Sequence, residues 1–131
     1  MTEQTTKPNA LQLIAQAAEE GWEELDLSGM GLSQVPAEIG QCTDLKRLIF
    51  GKFDQGRVVS NPLIELPPEI SDLSKLEVLN LRNTQISELP EHIAQLANLQ
   101  SLDLSGTQIS ELPEHIAQLA NLQSLNLSNT Q

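Results

Sequence analysis

A chain of 131 residues, 39% hydrophobic and only 2% aromatic, is the size of one domain, and its 23 leucines predict an aliphatic core. The formal charge of −11, from 18 acidic and 7 basic side chains, excludes the dense cationic surface that a nucleic-acid backbone needs. With no Tyr, one Trp and two Phe there is also no stacking platform for single-stranded bases. A single cysteine, Cys42, excludes an internal disulfide framework and suits a reducing, cytoplasmic compartment. The polar start MTEQTT is not a secretion signal, and no run approaches the roughly 18–20 apolar residues of a membrane helix, so no membrane partner is expected.

Residues 1–8 read as a disordered tail. Residues 9–20, NALQLIAQAAEE, predict a helix. Leu11, Ile14, Ala15 and Ala18 fall on one face, Asn9 can cap the start and Gly21 can stop the end. The expected role is an N-terminal cap over the first strand, with Trp22 packed beside it; a partner-binding helix is the alternative.

From Gly21 onward a fixed period organises the chain. Thr84–Ala97 is identical to Thr107–Ala120, a match of 14 residues at an offset of 23. Units run over 21–43, 44–74, 75–97 and 98–120, with an incomplete unit at 121–131. The second unit carries an inserted loop, 51–60 (GKFDQGRVVS), where the others have two residues. Each unit has two halves. Leu76, Leu79 and Leu81 include the period-two alternation of a short half-buried strand. Leu89-Pro90-x-x-Ile93-x-x-Leu96 has the three-residue spacing of a helical or 3₁₀ turn, with proline tolerated at its first turn. A coiled coil is excluded because Pro36, Pro67, Pro90 and Pro113 recur once per unit and would break it.

The pattern L-x-x-L-x-L-x-x-[N/T/C]-x-[L/I] over residues 21–131 resembles the leucine-rich repeat family, in its L-P-x-x-I-x-x-L subclass of bacterial and intracellular proteins. The resemblance implies an α/β fold: a right-handed solenoid with short parallel strands on the concave face and helical or 3₁₀ turns on the convex face. Thr84, Thr107, Thr130 and Asn61 occupy the family's Asn/Thr position, where a side chain can satisfy backbone groups of the turn. Met30 breaks that row, and its turn must find other partners, with Gly29 and Gly31 nearby. The helix followed by GWEELDLSGMGLSQVP and NPLIELPPEI also resembles the repeat region of Roco and Miro-type bacterial GTPases, which would make this chain the regulatory arm of a larger enzyme.

Ligands of the family commonly sit on the concave sheet, so the resemblance points to outward positions between the strand leucines. One row is Glu24, Arg47, Val78, Ser101 and Ser124; the next is Asp26, Ile49, Asn80, Asp103 and Asn126; a third is Ser28, Gly51, Arg82, Ser105 and Ser128. Six of the seven basic residues lie between Lys46 and Arg82, among the apolar outward positions Ile49 and Val78. Phe53, in the inserted loop beside Lys52 and Arg57, borders this zone. Arg47, Ile49, Lys52, Phe53, Arg57, Val78, Asn80 and Arg82 are therefore the candidate partner-binding residues. A solvated face with scattered charges is the plain alternative.

Other features are weaker. Gly51 to Gly56 has the glycine spacing of a phosphate loop without the Lys and Ser/Thr that must follow. His92 and His115 stack in register, but two ligands are too few for a tetrahedral metal site. Cys42 takes a leucine position and is expected to be buried. No catalytic set stands outside the repeat logic, so neither enzyme activity nor a cofactor is expected. The last unit lacks its helical half, which suggests a fragment and predicts self-association, as a possible homodimer, through Leu122, Leu125 and Leu127. The expected function is a non-catalytic module that binds another protein on its concave surface.

Overall fold

The computed structural model describes residues 9–112 and 114–128; the predicted tail at 1–8, Pro113 and Thr130 lie outside the described residues. In chain order the elements are α1 (Ala10–Glu20), β1 (Glu24–Asp26), β2 (Arg47–Asp54), β3 (Arg57–Val59), β4 (Val78–Leu81), β5 (Ser101–Asp103) and β6 (Ser124–Asn126). Between the strands lie 3₁₀ turns at Ala37–Gln41, Pro68–Asp72, Glu91–Gln95 and Glu114–Gln118.

Helix α1 starts with a capping box. The Gln12 amide donates to Asn9 Oδ1 at 2.9 Å, and the Asn9 amide donates to Gln12 Oε1 at 3.0 Å. Gly21, at φ 67°, turns the chain out of the helix without the steric cost a side chain would incur. The buried face differs from the predicted one. It consists of Ala10, Ile14 and Ala17, whereas Leu11 is 47% exposed and Ala15 is exposed. Two small alanines flanking Ile14 let the helix lie close against β1 and the first 3₁₀ turn, where the Cys42 thiol donates to the Ile14 carbonyl at 3.3 Å. Leu11 lies outside that contact.

The five repeat strands form a parallel sheet in the order β1-β2-β4-β5-β6. Register is kept by homologous residues: Leu25, Leu48, Leu79, Leu102 and Leu125 stand side by side. One unit cannot bury its own leucines, so each is covered by the coils on either side. Leu48, Leu79, Leu81, Leu102 and Leu104 are fully buried, as are Ile39, Ile70 and Ile93 from the 3₁₀ turns. The ladder loosens at the end of the chain: Ile116, Leu122, Leu125 and Leu127 are only half-buried.

What ends each strand is an Asp or Asn at its last or next-to-last position. Asp26, Asn80, Asp103 and Asn126 accept, through Oδ1, the amide two residues on, from Ser28, Arg82, Ser105 and Ser128 at 2.9–3.0 Å. This short loop turns the chain out of the strand. In the second repeat that position is Ile49, which has no such oxygen. The strand therefore runs on to Asp54 and folds back as β3, in antiparallel register Lys52↔Val59, Phe53↔Val58 and Asp54↔Arg57. Gln55 at φ 53° and Gly56 at φ 78° form the two-residue reversal that hairpins favour. The predicted inserted loop at 51–60 is thus an ordered hairpin.

The hairpin leaves and rejoins the solenoid at fixed points. The Gly29 amide donates to the Ser60 carbonyl, matching the bonds Asn83 to Ser105 and Gly106 to Ser128 in later turns. Asn61 then closes the gap left by Met30. Its Nδ2 donates to the carbonyls of Leu27 and Phe50, both at 2.8 Å, and its Oδ1 accepts the amides of Met30 and Leu32, both at 3.0 Å. Thr84 and Thr107 do less, each donating only to a carbonyl of its own coil, Leu81 and Leu104.

Candidate functional site

The structure brings the eight candidate partner-binding residues onto neighbouring strands. Arg47 pairs with Val78 and Ile49 with Asn80 across β2 and β4. Lys52 and Phe53 continue β2 into the hairpin, Arg57 opens β3, and Arg82 follows β4. Ile49 and Val78 are half-buried on the outward side of the sheet, while Phe53 and Arg57 are exposed.

The hairpin has two distinct faces. On one, the Lys52 ammonium meets Asp26 Oδ2 at 2.5 Å, and Val59 packs against the space that a side chain at Gly29 would fill. That face rests on the first repeat. On the other, Phe53 and its cross-strand neighbour Val58 are 59% and 48% exposed. The Arg82 guanidinium lies 5.7 Å from the centroid of the Phe53 ring, a cation–π contact from the third repeat. Gly51 holds this junction. A Cβ there would meet the Arg82 carbonyl oxygen at 1.8 Å, so only glycine permits the approach.

The predicted basic zone is largely neutralised. Arg47 reaches Glu24 at 3.7 Å, Lys46 reaches Glu23 at 3.9 Å and Arg82 reaches Asp103 at 3.4 Å, each from one repeat to a neighbour. The carboxylates divide their oxygens: Asp26 and Asp103 use Oδ1 for their own turn and Oδ2 for the foreign cation. Partial burial pushes the Asp26 carboxyl up, but the Lys52 ammonium, with the Ser28 hydroxyl and amide, holds it below the usual carboxylate range. The hydrogen bond to Asp26 raises Lys52 in turn. Among the described residues, Arg57 is the one cation in no ion pair.

Sequence reasoning missed the turn-forming job of the second outward row. Asn80, a candidate partner-binding residue, spends its Oδ1 on the Arg82 amide. The signal was available: Asp or Asn at 26, 80, 103 and 126, interrupted by Ile49 where the insertion follows. The third row is not a solvent-facing row throughout. Ser105 is 2% exposed and donates to Asp103, and Gly51 is buried.

Gly51 to Val58 is strand, reversal and strand, not a phosphate cradle. His92 and His115 lie on adjacent 3₁₀ turns; His115 Nε2 contacts the Pro90 carbonyl at 3.0 Å, and His92 Nε2 is buried with no hydrogen-bond partner among the described residues. No group of three His, Cys, Asp or Glu side chains able to hold a metal occurs among the described residues. Burial pushes the Cys42 thiol up, away from the reactive thiolate. No described helix is long and apolar enough to cross a membrane.

Comparison with known proteins agrees with this architecture. The leucine-rich repeat region family matches residues 67–131. A leucine-rich repeat protein of Leptospira interrogans superposes with a TM-score of 0.65 at 30% identity, over 89% of this chain and 34% of that one. The plant peptide hormone receptor RGFR1, solved in complex with RGF2, gives 0.69 at 26% identity, over 87% and 18%. The leucine-rich repeat domain of APL1B gives 0.71 at 20% identity over all of this chain and 37% of that one, a likeness of fold alone. No curated protein matches the sequence. The chain spans between 18% and 37% of the length of these solved neighbours. Its period of leucines, its parallel repeat strands and these likenesses agree: the chain carries a leucine-rich repeat region and folds as a leucine-rich repeat solenoid.

Proposed function

We propose that the chain is a non-catalytic, cytoplasmic module that binds another protein on the concave, strand-lined surface of its solenoid. One observation carries the reading: the parallel sheet fixes outward side chains in register at about 4.8 Å spacing, beside an ordered hairpin that exposes Phe53 and Val58. Such a surface loses little conformational entropy when a partner docks. The plant receptor neighbour, solved with a peptide hormone, supports a protein ligand for this architecture. Self-association through Leu122, Leu125 and Leu127 is a second surface, supported by their partial exposure. A role as the arm of a Roco or Miro-type GTPase rests on sequence resemblance alone.

The test is position-specific photo-crosslinking in the native cell extract. A photoreactive residue at Val78 or Ser101 is expected to capture one common partner, and the same residue at Gln95 or Gln118, on the 3₁₀ turns, is not. Capture that is equal on both sides, or absent from the sheet, refutes the concave surface as the site.

A further inference from the structure

The last coil of the solenoid is built like the others but is not covered like them. Leu112 is 40% exposed, where its counterparts Leu66 and Leu89 are each 5% exposed. Ile116, Leu122 and Leu125 are half-buried, whereas Ile93, Leu99 and Leu102, one unit earlier, are fully buried. Among the described residues β6 has a paired strand on one side only, β5. The register of that pair also fixes which backbone groups look outward. The Ser124 amide donates to the Gln100 carbonyl at 3.0 Å, and the Asn126 carbonyl accepts the Leu104 amide at 2.8 Å. Residues 124 and 126 thus face β5. By the alternation of a parallel ladder, the amide and the carbonyl of Leu125 both face the open edge.

Charge selects what fits there. No Asp, Glu, Lys or Arg follows Glu114, although the chain carries −11 overall. Two copies of so acidic a molecule repel each other over most of their surface, and the uncharged last coil is where they approach with the least repulsion. The opposite end of the solenoid is closed to the same approach. Helix α1 packs against β1 and the first 3₁₀ turn, and Glu23, Glu24 and Asp26 line that strand with charge, which guards a sheet edge. Stacking the last coil of one copy on the first coil of another, which would propagate without end, is therefore blocked. A symmetric contact of the last coil with itself remains. It also matches in shape, since leucines of this ladder are covered by homologous leucines, as Leu79 is by Leu48 and Leu102.

We propose that β6 pairs antiparallel with β6 of a second copy of this chain, about a two-fold axis that is normal to the sheet and passes beside Leu125. The Leu125 amide of each copy donates to the Leu125 carbonyl of the other, the reciprocal pair of hydrogen bonds of an antiparallel ladder. That axis keeps Leu125 of both copies on the same side of the joint sheet, so the two open cores meet and the two ladders of repeat strands become one. Ser124 then stands opposite Asn126 of the second copy. The inference rests on the self-association surface proposed above and gives it a geometry. The dimer is closed, is joined by main chain and aliphatic core, and leaves the outward face of both copies open to a protein partner.

The test is light scattering of the 131-residue chain over a concentration series, with hydrogen exchange followed residue by residue. A species of twice 14.4 kDa is expected, with none larger, and the Leu125 amide is expected to become protected as it forms. Ser124→Lys, at an exposed site on β6, sets a lysine beside the axis in each copy and is expected to weaken the dimer roughly tenfold, although it lowers the net negative charge. Gln41→Lys, exposed on the first 3₁₀ turn, makes the same change of charge far from the edge and is expected not to weaken it. Circular dichroism of both variants is expected to match the wild type. A monomer throughout the series refutes the dimer and the self-association surface together. Growth beyond the dimer, a dimer that leaves Leu125 exchange unchanged, or one weakened no more by Ser124→Lys than by Gln41→Lys overturns the strand pairing while self-association stands.

Discussion

Asn61 is the side chain on which the joint between the first two repeats depends, and replacing it separates two accounts of the Asn/Thr row. Asn61→Ala removes four hydrogen bonds of 2.8–3.0 Å. The carbonyls of Leu27 and Phe50 belong to fully buried residues and lose their Asn61 donor, whereas the amides of Met30 and Leu32 lie on half-buried residues that water can reach. Each buried unsatisfied group costs about 1–3 kcal/mol, so the two carbonyls alone set a loss of about 2–6 kcal/mol. That is a large part of the 5–15 kcal/mol typical of a domain. Asn61→Thr is the sharper probe. By the geometry of Thr84, a threonine can donate to the carbonyl of its own coil, here Phe50, but cannot reach Leu27, Met30 and Leu32 together. It is expected to recover only about 1 kcal/mol, the net worth of one hydrogen bond. Urea unfolding followed by the single tryptophan, Trp22, which packs at the edge of the core, reads the difference, and hydrogen exchange at Met30 and Leu32 locates it. A threonine variant as stable as the wild type would show that the row serves only local turns and refute the reasoning.

Four other outcomes are expected. Leu104→Ala, at a fully buried site, should cost about 2–5 kcal/mol in urea unfolding, against under about 0.5 kcal/mol for an exposed change such as Gln108→Ala. Because the folded Asp26 carboxyl is held below its ordinary value, its contribution is present at neutral pH and lost as pH falls through that lowered value. Asp26→Asn keeps the turn acceptor, as Asn80 and Asn126 do, so the stability gap to the wild type should be under about 1 kcal/mol at pH 7 and close in acid titrations below about pH 4. Gly51→Ala should displace the hairpin from the third repeat, weakening the Phe53–Arg82 contact in nuclear Overhauser spectra. Deleting residues 52–59 together with Ile49→Asn restores both the period and the turn residue, so the chain should still unfold cooperatively in urea without the hairpin.

The solenoid was legible because one cause, the shared aliphatic spine, imposes a long-range period on every unit; Leu79 and Leu102 could be paired before any coordinate was known. The hairpin was not, because Lys52–Val59 contributes one short amphipathic reversal with a Gln55-Gly56 turn in place of the stronger Asn-Gly signal. Its cause lay outside the insertion, in the missing carboxylate or amide at Ile49. The buried face of α1 was misread for a related reason: helical spacing gives a choice of adjacent stripes, and contact with the first 3₁₀ turn, not hydropathy, selects Ala10, Ile14 and Ala17. Sequence placed the cations on the right strands but could not show that Lys52 and Arg82 bridge to acids 26 and 21 residues away.

Those bridges change what the outward face can recognise. A run of unpaired cations would attract any polyanion and would lose its hold steeply as salt rose. Here Lys52 is committed to Asp26 and is spent on anchoring the hairpin, while Asp26 and Asp103 each have both oxygens engaged. What stays exposed beside the sheet is the Phe53–Val58 face of the hairpin. On the proposed function, a partner would gain its hold by burying Phe53 and Val58. The repeat-to-repeat ion pairs and the Asp/Asn turns hold the platform, and Ile49, the single position that escapes that rule, stands where the strand runs on into the hairpin. On the proposed function, stability and recognition are divided between residues that obey the period and those that depart from it, so Phe53→Ser, at an exposed site, is expected to weaken partner capture while leaving urea unfolding unchanged.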